Sequence, residues 1–180
     1  MTTPLSILAV CSYNRVRSVM TQLLLQRSLD DGGVPARVRS AGFAEGGRPA
    51  MPDTVQALRT LRLDATTHRS TRVEVHMVQH ADLVLTAERL HVVRLVEDSS
   101  ELFAKVFTLP EFAQLATAAG PRHGRPIADW LAVVGAGRTH DSFLAAHTPE
   151  IGDPTGMTSA TFGTTAARID ESCRTIAALL

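Results

Sequence analysis

The residue types most suited to chemistry lie close to the N-terminus, in Cys11-Ser12-Tyr13-Asn14-Arg15-Val16-Arg17-Ser18. A cysteine, five residues and an arginine is weak as a bare spacing, because arginine carries nearly all the positive charge of this chain and Lys105 is the only lysine. The setting makes it specific. A short apolar run over residues 5–10 precedes the cysteine, and a helical pattern begins at about Ser18. A turn from a strand end into a helix start aims successive backbone N–H groups at one point, and the helix N-terminus adds positive potential there. Such a cradle suits a dianionic phosphoryl group. The planar fork of Arg17 can hold two of its oxygens. The same field favours the thiolate of Cys11, which is the nucleophilic form, and a hydroxyl at Ser18 is placed to hydrogen-bond that sulfur. The chemistry implied is attack of sulfur on phosphorus.

The elements that must hold this loop follow from the apolar pattern. Residues 5–10 read as a strand buried on both faces; residues 36–40 read as a second short strand, 82–86 as a buried one and 105–108 as a fourth. Helical patterns lie between them, at about 18–29, from Pro52-Asp53 with Val55, Leu58 and Leu61 on one face, at 73–80 and at 88–96. A last helix at about 158–180 carries Phe162, Ile169, Cys173, Ile176 and Leu180 at helical spacing, which makes Cys173 a core residue. Residues 120–125 read as a surface insertion and 140–156 as the longest loop. Strands alternating with helices predict an α/β fold with a four-stranded parallel sheet and helices on both faces. Ligands bind such sheets beyond the carboxyl ends of the strands, where the loop after the first strand lies.

Composition narrows the function classes. A chain of 180 residues fits a single domain. The formal net charge is zero and the pI about 7.1, so no global basic field attracts nucleic acid or an anionic membrane. The run at 5–10 is too short to span a bilayer or serve as a signal peptide core. Two distant cysteines, Cys11 and Cys173, make no disulfide framework, and no Cys/His cluster has zinc spacing. The reading is a cytoplasmic protein without metal or cofactor, where a reactive thiol stays reduced.

The loop resembles that of the low-molecular-weight protein tyrosine phosphatases at Val10, Cys11, Asn14, Arg17 and Ser18. The resemblance continues at Val38-Arg39-Ser40-Ala41-Gly42, His68-Arg69-Ser70, Ala81-Asp82-Leu83-Val84-Leu85-Thr86 and Lys105-Val106-Phe107-Thr108-Leu109-Pro110-Glu111-Phe112. It closes at Ile151-Gly152-Asp153-Pro154-Thr155-Gly156, with an insertion at about 120–147 within one domain. The resemblance implies a phosphate monoester hydrolase that forms a phosphocysteine intermediate and acts on a phosphorylated protein or a small phosphate ester. It implies that Asp153, followed by a stiffening proline, is the general acid. Asp53 is the rival, although at a helix start an acidic residue caps. The resemblance also implies that Asn14, Ser40 and His68 hold the loop in shape.

The departures have chemical content. Val16 replaces a second loop cysteine and removes the thiol that could protect the nucleophile by reversible oxidation. Val19 stands for a proline inside a helix start, where it is harmless. Tyr13 replaces a glycine, which places a backbone cost in the loop. Arg15 stands for an apolar wall residue, and Thr155 and Gly156 for aromatic ones, which leaves Tyr13 or Phe43 as candidate replacement walls, or Tyr13 as a side chain that narrows the entrance. Weaker selection for phosphotyrosine follows, with a preference for negative charge beside the phosphoryl group, toward Arg15. Two other readings of the fold stay open: an arsenate reductase served by an external thiol, and a non-catalytic phosphate-binding relative suggested by Tyr13.

Overall fold

Ala9, at the middle of the first strand, is wholly buried because its strand is flanked on both sides. In the computed structural model, which describes residues 3–180, strand β1 (Leu5–Cys11) pairs in parallel with β2 (Ala36–Gly42) and with β3 (Leu83–Thr86). Strand β4 (Val106–Thr108) pairs in parallel with β3, giving the order β2-β1-β3-β4. Alternate residues of each strand face opposite layers. Ile7, Cys11, Leu83, Leu85 and Phe107 face one core, and Leu8, Val10, Val84 and Val106 face the other.

The first core is covered by α1 (Arg17–Asp31), α2 (Pro52–Thr60), α5 (Leu109–Ala119), α6 (Ile127–Val134) and α8 (Ser159–Leu179). The second is covered by α3 (Val75–His80), α4 (Arg89–Val96), a 3-10 turn (Ser100–Ala104) and α7 (His140–Ala145). Packing rather than capping fixes the key helix. No side chain caps α1, a device typically worth about 1 kcal/mol. Yet Leu24, Leu25 and Leu29 are fully buried, each contributing about 1.5–3 kcal/mol.

The sequence reading is corrected in three places. Residues 140–156 are not one loop, because α7 occupies the start of that stretch. Thr139 Oγ1 accepts the Ser142 N–H at 3.1 Å, and Phe143 packs edge-on to Phe103 at 5.6 Å. One buried aromatic on six residues is too little periodicity to read in advance. Residues 73 and 74 lie outside α3, with Glu74 as its N-cap. Lys105 precedes β4 rather than starting it, and its ammonium donates to the Gln79 and Ala81 carbonyls at 2.7 Å each. The segment after α5 is built into the core. Trp130 is fully buried with its indole N–H on Gly120 O at 2.9 Å. Arg138 ties to Glu111 at 2.7 Å and to the Phe103 and Val106 carbonyls.

No helix among the described residues is long and apolar enough to cross a membrane.

Candidate active site

Cys11 ends β1 opposite Gly42 of β2, and the chain then turns through residues 12–16 into α1. The turn is held by Asn14, the loop's left-handed residue, with φ of 51°. Asparagine takes this conformation at low cost. Its fully buried amide is spent on three neighbours. Nδ2 donates to Ser18 Oγ at 2.9 Å and to Ser40 Oγ at 2.8 Å, while Oδ1 accepts the Thr71 N–H at 2.8 Å. Because Thr71 donates to Oδ1, the orientation of the amide is fixed. Ser18 Oγ therefore accepts from Asn14, which frees its hydroxyl hydrogen for Cys11 Sγ, 3.1 Å away. Ser40 in turn donates to Gln22. His68 Nε2–H donates to the Asn14 carbonyl at 2.7 Å; burial chiefly holds the pKa of this histidine below its ordinary value, opposed by that bond.

Tyr13 was the residue expected to suffer in place of glycine. It does not have a positive φ, and its side chain is 61% exposed. The demand for glycine falls instead on β2. A Cβ at Gly42 would lie 2.6 Å from Asn14 N and 2.9 Å from Tyr13 C, so the loop lies against a bare backbone there.

Arg17 opens α1 and is only 2% exposed. Its Nη1 donates to the Glu88 carboxylate and, at 3.0 Å, to Ile151 O. Its Nη2 donates to Asp153 Oδ2 at 3.0 Å. Its Nε, also buried, has no acceptor among the described residues. Asp153 Oδ1 accepts from Thr155 N at 3.1 Å and Thr155 Oγ1 at 2.8 Å. Cys11, Arg17 and Asp153 line one pocket of about 220 Å³, together with Tyr13, Arg15, Val16, Met51 and Thr155. Of the two replacement walls, Tyr13 lines this pocket, whereas Phe43 is turned away and stacks on His91 at 5.5 Å. Asp53 does not line it; its carboxylate accepts from Ser159 and joins α2 to α8.

Glu88 and His91 were not found from sequence. His91 is buried, and its Nδ1 accepts the Glu88 N–H at 3.1 Å. The proton is therefore on Nε2, which donates to Ser12 Oγ at 3.0 Å. Burial, helped by Arg17 and Arg94, lowers its pKa to about 4 against the opposing charges of Glu88 and Asp153. A neutral ring thus braces the second residue of the loop, and its neighbour Glu88 braces the arginine. Cys173 is remote from this site: it is fully buried in the core, where burial pushes its thiol pKa up. Among the described residues, no three His, Cys, Asp or Glu side chains come together to hold a metal ion.

A strand-end cysteine in a braced loop, facing a buried arginine across a pocket, on a four-stranded parallel sheet, is the frame of a small cysteine-dependent phosphatase. A family model described as low molecular weight phosphotyrosine protein phosphatase matches residues 6–121, and the chain belongs to that family. Asp153 lies beyond the matched residues. The chain is similar to the protein-arginine-phosphatase of Bacillus subtilis, at 33% identity over 109 residues, 60% of this chain and 72% of that one. It is also similar to the low molecular weight protein-tyrosine-phosphatase Wzb of Escherichia coli, at 32% identity over 102 residues, 56% of this chain and 67% of that one. The fold matches the low molecular weight protein tyrosine phosphatase of T. tengcongensis with a TM-score of 0.75 at 23% identity, covering 98% and 99% of the two chains. It matches a YwlE mutant from Bacillus subtilis with a TM-score of 0.72 at 23% identity, covering 97% of each.

Proposed function

We propose that this phosphatase hydrolyses phosphate monoesters, with phosphorylated protein as substrate, in two displacements at Cys11. In the first, the Cys11 thiolate forms a bond to phosphorus and the ester P–O bond breaks. The departing oxygen takes the proton of the Asp153 carboxyl group. In the second, water attacks the phosphocysteine, Asp153 as carboxylate takes the water's proton, the S–P bond breaks and inorganic phosphate leaves. Arg17 and the N–H groups of residues 12–17 hold the phosphoryl oxygens in both steps, and the Ser18 hydroxyl stabilises the sulfur anion each time it forms. A cytoplasmic setting keeps the thiol available.

One observation carries the reading: Cys11, Arg17 and Asp153, separated widely in sequence, line the same pocket. The unpartnered, buried Arg17 Nε adds a donor suited to an anionic oxygen. Recycling through an internal disulfide, as one kind of arsenate reductase would need, has no support, since Cys173 lies in the core with its sulfur 4.0 Å from Thr21 O. The test is turnover of a nitrophenyl phosphate, and of arsenate with an external thiol, by wild type and Cys11→Ser. Aryl phosphate turnover that vanishes in Cys11→Ser, with oxyanion binding retained, supports the reading. Near-normal turnover by Cys11→Ser, or turnover of arsenate alone, sinks it.

A further inference from the structure

Arg15 lines the pocket, and there it lacks the carboxylate that neutralises the more deeply anchored arginines. Arg17, Arg27 and Arg138 each have a carboxylate partner. Arg15 is half-buried and has none among the described residues. It is nevertheless held in place. Its Nε–H donates to Pro49 O at 2.8 Å, and its own carbonyl accepts the Met51 N–H at 3.0 Å. The residue is thus clamped at side chain and backbone by the segment before α2. Its two terminal amino groups make no hydrogen bond to the protein among the described residues. A cation ordered in this way loses little further freedom on meeting an anion.

The rest of the pocket fits a particular ligand shape. Beyond the sulfur and Arg17, its walls come from Tyr13, Val16 and Met51, which suit a flat apolar ring. Among the described residues its one carboxylate is Asp153, already engaged by Arg17 and Thr155. A ligand complementary to this sequence of surfaces carries a phosphoryl group, then a ring, then a negative charge. A phosphorylated guanidino group fits poorly. It is rich in N–H donors and would meet the donors of Arg15, while the Asp153 carboxylate is already engaged by Arg17 and Thr155.

We propose that Arg15 steers this site to phosphorylated residues in acidic protein segments, by pairing a carboxylate next to the phosphotyrosine, and that it makes phosphoarginine a poor substrate. The inference rests on the phosphatase reading given above. It makes Arg15 a specificity-determining residue that acts on the peptide around the reacting group.

The experiment compares kcat/KM on phosphotyrosine peptides with acidic and neutral flanks, and on a phosphoarginine peptide with neutral flanks. Wild type, Arg15→Gln and Arg15→Lys are measured at low and moderate salt. The acidic-to-neutral ratio should be on the order of tenfold in wild type at low salt and shrink as salt is added. It should fall close to one in Arg15→Gln and survive in part in Arg15→Lys. Phosphoarginine should be the poorest of the three substrates. Cys11→Ser, which holds peptide without cleaving it, reads the same ratio as Kd and does not depend on turnover by the Arg15 variants. A ratio near one in wild type, a ratio unchanged in Arg15→Gln, or phosphoarginine cleaved as well as phosphotyrosine overturns the inference while the phosphatase reading stands. Failure of wild type to cleave nitrophenyl phosphate overturns the phosphatase reading, and this inference with it.

Discussion

Asp153 and Arg17, 136 residues apart in the chain, are joined by an ion pair of 3.0 Å in the lining of the pocket. The proposed acid and the proposed phosphate clamp therefore begin as each other's partners. Asp153 is also held by Thr155 through its second oxygen, so the loop that carries it is tied on both sides. In the proposed reaction a phosphoryl group competes with Asp153 for Arg17, whose Nε is buried and has no acceptor among the described residues. Glu88 stays on the far amino group and keeps the guanidinium in place.

Asp153→Asn removes both the transferable proton and the ion pair with Arg17, and the leaving group tells the two losses apart. The substitution should slow poor leaving groups such as alkyl phosphates far more than nitrophenyl phosphate, whose phenolate needs little protonation. For the poor leaving groups the loss should be roughly 10²- to 10⁴-fold in kcat/KM. A series of aryl and alkyl phosphates of graded leaving-group basicity measures it. Equal loss across the series would make Asp153 a structural partner of Arg17 only.

The two cysteines should respond differently to an anionic alkylating agent such as iodoacetate. Cys11 lines the pocket, whereas Cys173 lies in the core with its thiolate form disfavoured by burial. The native chain should take up one equivalent, at Cys11, and inorganic phosphate should slow the reaction. The unfolded chain should take up two. Mass spectrometry of the labelled peptides decides this, and native modification of Cys173 would contradict its core position.

Gly42→Ala tests the close passage of the loop over β2. The added Cβ would meet backbone atoms of Asn14 and Tyr13 at 2.6 and 2.9 Å, and backbone cannot swing aside as a side chain can. Overpacking of this kind costs about 1–3 kcal/mol, so the chain should still fold. Displacing the loop by part of an ångström should nevertheless lower kcat/KM on the order of 100-fold. Circular dichroism and aryl phosphate kinetics measured together check both halves. Unchanged kinetics would mean that the loop geometry does not depend on this contact.

What could be read in the sequence was local. Cys11, Arg17 and Ser18 follow an apolar strand and open a helix, so loop and helix start declared themselves within eight residues. Strands β1, β3 and β4 were legible as short apolar runs buried on both faces, and β2, an edge strand with Arg37 and Arg39 exposed, as the short segment that ends at Ala41-Gly42. Asn14 and Ser40 were reached through a family resemblance, and their contacts give that resemblance physical content. Glu88 and His91 were not legible. They lie 71 and 79 residues from the loop residues they touch, and what brings them there is the pairing of β1 with β3, which sets Val10 beside Thr86. A glutamate and a histidine at the start of an amphipathic helix look like surface residues until that register is known. The backbone cost expected at Tyr13 is absent for a related reason: Tyr13 has no positive φ, and the close backbone approach falls on Gly42 of the neighbouring strand.

His91 makes stability depend on pH. Its pKa is 6.5 in the unfolded chain and about 4 in the fold. Between these values the unfolded chain binds a proton that the folded chain refuses. Stability from this residue is fully present above about pH 6.5, falls as pH drops through the window, and levels off below about pH 4. The whole loss is on the order of 3 kcal/mol, at about 1.4 kcal/mol for each unit of pKa difference. His91→Gln keeps a neutral side chain of similar reach and removes the titration. Urea unfolding at about pH 7 and about pH 5 should therefore show wild type losing roughly 2 kcal/mol more than His91→Gln over that interval. Equal losses in the two proteins would mean that His91 protonates as freely in the fold as out of it, and that the neutral ring bracing Ser12 is not maintained.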